Sequence, residues 1–249
     1  MTKIVVAFQG MNLSQAQRER LEGFGEVDYI DKQHDTPEEW LEAVQGYDVI
    51  CAGVFGFMQK WSELKDVFVS VPYVGVDFVG ADTMQKNKLT VSNSPGCNRH
   101  AVIEWVIGMM IHTSRNFDFL INTTAADRAD EIMKPGDGLV SKKVVVVGKG
   151  NIGSGIAKAC EALEMDVHVF KRGDDLHAMT KDADYVVNAI SLNQETKGLL
   201  DRDFFMGLKK GARFITVART ETEDFDAMFE ALDAGILASV AHDAGSSPN

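Results

Sequence analysis

The chain has 249 residues, 45% of them apolar and 25% charged, which is the composition of a soluble globular protein with enough length for one large or two small domains. Its 25 Lys and Arg against 37 Asp and Glu leave a formal net charge of −12, a field that excludes general affinity for nucleic acid or an anionic membrane surface. The apolar run at Ile4–Phe8 is too short for a signal peptide, and no stretch approaches the roughly 20 apolar residues of a membrane span.

In chain order, short strands are predicted at Ile4–Phe8, Val27–Ile30, Asp48–Gly53, Val71–Val76 and Leu89–Ser92. Between them lie helix starts. Ser14 and Gln17 form a capping box, with Leu13 before it, and Thr36-Pro37-Glu38-Glu39 sets a cap, an N1 proline and an acidic first turn in order. Asn98 to about Arg115 reads as one long, mostly apolar helix. Thr123–Gly138 reads as a loose surface connection. The second half has strands at Val144–Val147, Val167–Phe170, Tyr185–Ile190, Arg213–Ala218 and Leu237–Ala241, with a helix after the first ending near Leu163. Strands alternating with helices imply parallel pairing and the α/β class. Four consecutive valines suit a central strand buried on both faces. The expectation is two α/β domains, divided near Pro95-Gly96 into residues 1–95 and 96–249.

The cysteines, Cys51, Cys97 and Cys160, are odd in number and widely spaced, which suits neither a disulfide framework nor a zinc site. They read as small buried hydrophobes in a reducing cytoplasm.

Gly148-Lys149-Gly150-Asn151-Ile152-Gly153 matches G-x-G-x-x-G between a buried strand and a helix, the setting that makes this motif specific for a dinucleotide. Gly148 permits the turn, Gly150 lets pyrophosphate approach the backbone, and Gly153 lets helix and strand pack closely. The N–H groups of Asn151 and Ile152 then face the phosphates from the helix N-terminus. At the end of the next strand, where an acid usually binds the ribose hydroxyls, stand Lys171 and Arg172. Two cations there attract a 2′-phosphate, so NADP(H) is favoured over NAD(H), against which Asp174 and Asp175 count.

With these motifs in order, the chain resembles the D-isomer-specific 2-hydroxyacid dehydrogenases, which include glyoxylate/hydroxypyruvate reductases and phosphoglycerate dehydrogenases. Val74-Gly75-Val76-Asp77 looks like the family's substrate loop, and Asn93-Ser94-Pro95-Gly96 with Ala101-Val102-Ile103-Glu104 like its helix start. Asn193–Leu199, Lys209-Lys210-Gly211-Ala212 and Thr216-Val217-Ala218-Arg219 resemble its later motifs. The resemblance implies a flavodoxin-like substrate domain (1–95) and an NAD(P)-binding Rossmann domain (96–249) with a cleft between them. It further implies hydride transfer between nicotinamide and C2 of a small anionic 2-keto or 2-hydroxy acid, in a cytoplasmic homodimer. Arg219 matches the catalytic arginine. Gly53, Val54, Val74 and Gly75 correspond to further carboxylate contacts, while Val217, Ala218 and Asp243 lie near the nicotinamide.

Several positions depart from the family pattern. Ala189 and Ser191 replace the histidine and proline of a cofactor loop, and Thr220 replaces the glycine after the arginine. The family's glutamate should fall where Ser246-Ser247-Pro248-Asn249 stand, with its acid–base histidine later still. The expectation is therefore a piece of a longer enzyme, with a catalytically silent dinucleotide-binding protein as the alternative. His242 reads as a packed neighbour of Asp243 rather than as a replacement acid, and His34, His100, His112, His168 and His177 fall outside the pattern.

Overall fold

The computed structural model describes residues 1–7, 13–32, 34–52, 60–74, 76, 80–124 and 137–243. The chain divides into two compact units, Met1–Cys97 and Asn98–Asn249.

The first unit holds a five-stranded parallel sheet of β1 (Lys3–Ala7), β2 (Glu26–Tyr29), β3 (Val49–Ala52), β4 (Phe68–Ser70) and β5 (Thr90–Ser92), in the order β2-β1-β3-β4-β5. Helix α1 (Gln15–Glu22) starts at the expected capping box, in which Ser14 and Gln17 bond reciprocally. Helix α2 (Pro37–Ala43) starts at Thr36, whose hydroxyl accepts from the N–H of Glu39 at 3.2 Å. Trp40 and Leu41 of α2 pack on Val5, Ile50 and Val69 to make the core. Helix α3 (Ala81–Asn87) leads into β5.

One strand lies elsewhere than expected. The fourth falls at Phe68–Ser70 rather than Val71–Val76, because Pro72 has no N–H to offer a ladder bonded on both sides. The cysteines also divide. Cys160 is buried, Cys51 half-buried and Cys97 exposed, and all three are free thiols. Cys97 is exposed because it lies in the turn that follows β5 rather than in a core-facing element, and its Sγ donates to the Pro72 carbonyl at 3.2 Å.

The second unit begins with α4 (Arg99–Ser114) and α5 (Phe117–Asn122). Its parallel sheet contains β6 (Lys143–Val147), β7 (Asp166–Phe170), β8 (Tyr185–Asn188), β9 (Ala212–Thr216) and β10 (Leu237–His242), in the order β10-β9-β8-β6-β7. Helix α6 (Asn151–Ala162) joins β6 to β7, and α7 (Leu176–Thr180), α8 (Arg202–Met206) and α9 (Phe225–Asp233) follow. The four valines of β6 are fully buried. Val144 and Val146 face a core with Val106 and Met110 of α4 and Ile156 of α6. Val145 and Val147 face a second core with Phe204 and Phe205 of α8 and Met228 of α9. Helices thus cover both faces, which is why the strand lacks a polar alternation.

Both sheets share one order, second-first-third-fourth-fifth, and reverse direction between their first and third strands. In such open sheets the crevice beyond the carboxyl ends at the reversal is where ligands bind. In the second unit that point lies between β6 and β8. Among the described residues no helix is long and apolar enough to cross a membrane.

Candidate functional site

The glycine turn follows β6 at the reversal point. Gly148 has φ +115°, and a Cβ on it would sit 2.8 Å from the carbonyl oxygen of Ala189, which follows β8. A side chain there would collide with the opposite wall and strain the backbone as well. A Cβ on Gly153 would lie 2.0 Å from the Gly148 carbonyl oxygen, so only glycine lets α6 start this close to the turn. Gly150 differs. It precedes α6 with extended backbone that any residue adopts, and a Cβ on it would meet nothing within 4 Å.

No side chain caps α6 at Gly150, and its first turn holds no acid. The N-terminal N–H groups of a helix are anion donors. An open cradle over an uncapped helix start fits a dinucleotide pyrophosphate. Asn151 is exposed and Ile152 half-exposed beside it. Sequence reasoning missed Arg99, for which no motif signals a role. Its Nε donates to the Asn151 carbonyl at 2.9 Å, and its guanidinium lies 3.0 Å from where a Cβ of Gly155 would be.

At the end of β7, Lys171 and Arg172 stand in a tight turn. The Lys171 N–H donates to the Asp174 carboxylate at 3.0 Å, Gly173 has φ +96°, and Asp175 caps α7 through the Ala178 N–H. Both acids of this turn are therefore engaged by backbone. Arg172 pairs with Glu195 at 2.6 Å, with both side chains exposed. Glu195 is presented by a loop in which Asn193 Oδ1 accepts from the N–H groups of Glu195 and Thr196, while the Thr196 hydroxyl donates to the Ser191 carbonyl at 2.7 Å.

Arg219, exposed, lies three residues past the end of β9, with φ −78° and ψ 141°. Thr220, in the glycine's place, begins a short 3₁₀ turn and is not among the positive-φ residues, so the exchange needs no strained backbone. Val217 donates to the Asn188 carbonyl at 3.0 Å and Asp243 to the Thr216 carbonyl at 3.1 Å, which carries the ladder past the strand ends. The carboxyl edge of one sheet thus gathers Lys171 and Arg172, the glycine turn, Val217, Ala218, Arg219 and Asp243. From β7 to β10 this edge spans about 19 Å, as four interstrand spacings.

Beneath Arg219 lies a polar group that the sequence does not announce. Glu223 is buried, and burial pushes its carboxyl above the ordinary range, with hydrogen bonds from Thr216 and Asn188 and the charge of His242 only partly opposing. His242 lies against Phe225, with ring centres 5.3 Å apart and Nε2 closed off from solvent.

In the first unit, Val74 sits in a bend whose carbonyl accepts from Asn93 Nδ2 at 2.7 Å. Ser94 fastens the same segment, its N–H donating to the Tyr73 carbonyl and its hydroxyl to the Val71 carbonyl, both at 2.9 Å. Gly53, Val54 and Gly75 lie outside the described residues, as do Asp77 and most of Thr123–Gly138. No cluster of His, Cys, Asp and Glu among the described residues suits a metal ion.

Comparison with known proteins bears on the same edge. The family described as D-isomer specific 2-hydroxyacid dehydrogenase, NAD binding domain, matches residues 107–247. D-3-phosphoglycerate dehydrogenase of Bacillus subtilis is 30% identical over 183 residues, which cover 68% of this chain and 35% of that protein. Glyoxylate reductase/hydroxypyruvate reductase of Mus musculus is 24% identical over 192 residues, or 70% of this chain and 58% of that one. The chain thus spans about a third of the first protein and somewhat over half of the second. In fold, it superposes on a glyoxylate reductase from Paecilomyes thermophila with a TM-score of 0.79 at 19% identity, covering 97% of this chain and 81% of that one. A family match running from the middle of α4 past the last strand covers more than half of the sequence, and the chain belongs to the D-isomer specific 2-hydroxyacid dehydrogenase family.

Proposed function

We propose that the protein is an NAD(P)-dependent oxidoreductase that moves a hydride between nicotinamide and C2 of a small anionic 2-keto or 2-hydroxy acid. One observation carries this reading: an open glycine cradle and an exposed arginine, Arg219, stand at the same edge of a single sheet. When bound, the dinucleotide supplies or accepts the hydride. Gly148, Gly150, Asn151, Ile152 and Gly153 hold its pyrophosphate, and Val217, Ala218 and Asp243 border its nicotinamide. Arg219 grips the acid. A planar guanidinium makes paired, charge-assisted bonds to a carboxylate and can also stabilise the charge that builds on the keto oxygen as hydride arrives. Residues 1–95 are the substrate-binding part and 96–249 the dinucleotide-binding part. With His242 Nε2 shut away from solvent, the proton that completes the hydroxyl after hydride arrives comes from water or from an acid outside the described residues.

Lys171 and Arg172 favour NADP(H) over NAD(H). Three free thiols suit the cytoplasm. Ile111, Phe117 and Ile121, exposed on α4 and α5, support a homodimer joined there.

The test mixes the protein with NADPH or NADH and with glyoxylate or hydroxypyruvate. The expected result is loss of reduced nicotinamide that depends on the 2-keto acid. In Arg219→Ala the dinucleotide should bind as before while 2-keto acid affinity falls roughly tenfold or more, the worth of a charged hydrogen bond. Unchanged 2-keto acid affinity in that variant would remove Arg219 from its role.

A further inference from the structure

The last rung of the second sheet is polar where the two rungs directly beneath it are apolar. Asn188, Thr216 and His242 lie in register on β8, β9 and β10, whereas the two preceding rungs are Val187–Ile215–Ala241 and Val186–Phe214–Val240. Above the polar rung sits the buried side chain of Glu223, delivered by the turn that follows Arg219. One of its oxygens, Oε1, accepts from the Asn188 amide at 2.7 Å and from the Thr216 hydroxyl. The other, Oε2, is buried with no hydrogen-bond partner among the described residues. A buried carboxyl with an unmatched oxygen is less stable than an apolar side chain of similar size. The core therefore gives no reason for this residue.

The bonds leading away from it do. The Thr216 hydroxyl, donating to Glu223, accepts from the N–H of Ala218 at 3.3 Å, immediately before Arg219. The Asn188 amide that donates to Glu223 also donates to the Thr222 hydroxyl at 3.0 Å, which in turn donates to the carbonyl of Arg219 at 2.7 Å. The backbone on both sides of Arg219 is thus tied to the same carboxyl, on one side through the Thr216 hydroxyl and on the other through the Thr222 hydroxyl and the Asn188 amide. The remaining face of Asn188 accepts from the N–H of Ile190 at 3.3 Å, and Ile190 is part of the wall opposite Gly148. We infer that Glu223 is a positioning residue which, with Asn188, Thr216 and Thr222, fixes the backbone from which Arg219 reaches the carboxylate of a 2-keto acid. This rests on the reading of Arg219 given under Proposed function.

The test measures the affinity of the full chain for NADPH, and then the affinity of the NADPH-bound protein for oxalate, an unreactive dianion resembling a 2-keto acid. Glu223→Val should weaken oxalate about tenfold with NADPH affinity changed by no more than about twofold. Glu223→Gln keeps an acceptor for Asn188 and Thr216, and should restore oxalate binding to within about twofold. Should Glu223→Val not fold, Thr222→Val removes the hydroxyl that joins the Asn188 amide to the Arg219 carbonyl while leaving Glu223 in place, and should itself weaken oxalate. In the Arg219→Ala background neither change should add a further loss, because each acts through the arginine. An equal further loss in that background would make the cluster a general support of the fold and overturn the inference. So would full oxalate affinity in both Glu223→Val and Thr222→Val when Arg219→Ala lowers it. Unchanged oxalate affinity in Arg219→Ala itself would overturn the assignment of Arg219, and this inference with it.

Discussion

A methyl group on Gly153 would lie 2.0 Å from the carbonyl oxygen of Gly148, whereas the same methyl on Gly150 meets nothing within 4 Å. The two glycines therefore serve different ends. Gly153→Ala gains about 1 kcal/mol of helix propensity, but the overlap is with backbone that cannot swing aside. The net effect should be a loss of roughly 1–3 kcal/mol by overpacking. Gly150→Ser places a preferred N-cap residue at the start of α6, so stability should hold or rise slightly. Its hydroxymethyl group instead fills the cradle, and dinucleotide affinity should fall roughly tenfold or more. Thermal melts and dinucleotide titrations of both variants check this, and a Gly150→Ser protein that binds as tightly as the native would place the pyrophosphate elsewhere. At this scale the glycine turn was legible because Gly148 and Gly153 each answer to a backbone constraint. Glu223 was not. An acid at the end of a short turn carries no periodicity, and only the register of three strands reveals the polar rung beneath it. Arg99 was hidden likewise, since its partner Asn151 is 52 residues away.

Strands and helices read well where one physical rule dominated. Four valines gave a strand buried on both faces, and the caps at Ser14 and Thr36 gave helix starts. The reading slipped at β4, where an apolar run outweighed Pro72 in the expectation but not in the ladder. Loop chemistry was only half legible. Lys171 and Arg172 were visible as a cation pair, but the Arg172–Glu195 bridge joins two loops and depends on the Asn193 turn that presents Glu195. That bridge makes a prediction about cofactor choice. Glu195 competes with a 2′-phosphate for the guanidinium, and an exposed pair is worth at most about 1 kcal/mol. Glu195→Gln should therefore raise NADPH affinity by up to about fivefold and leave NADH affinity nearly unchanged. Lys171→Asp should do the reverse, weakening NADPH more than NADH. Parallel titrations with both nucleotides decide the matter, and equal changes for the two would mean that this turn does not read the 2′-phosphate.

At the scale of the molecule, the alternation of strands and helices was enough to read the α/β class, with one parallel sheet in each of the units Met1–Cys97 and Asn98–Asn249. What it could not give was that both sheets repeat one strand order, since order depends on which crossovers turn back over the first strand. Each unit also has its own core. Trp40, Leu41 and Ile50 serve the first, while the second has one core on each sheet face, built from residues between Val106 and Ala241. A chain of about 150 residues buries near 70% of its unfolded surface, ample for independent stability. Residues 98–249 made alone should therefore melt in a single cooperative transition, and should bind NADPH within about threefold of the full chain, because the glycine turn, Lys171 and Arg172 all travel with them. With residues 1–95 proposed as the substrate-binding part, oxalate affinity should fall in the fragment that lacks them. Calorimetry and two titrations on fragment and full chain make the comparison. A fragment that folds but loses NADPH would show that residues 98–249 do not hold the dinucleotide by themselves, and one that keeps full oxalate affinity would leave Arg219 as the group that selects the acid.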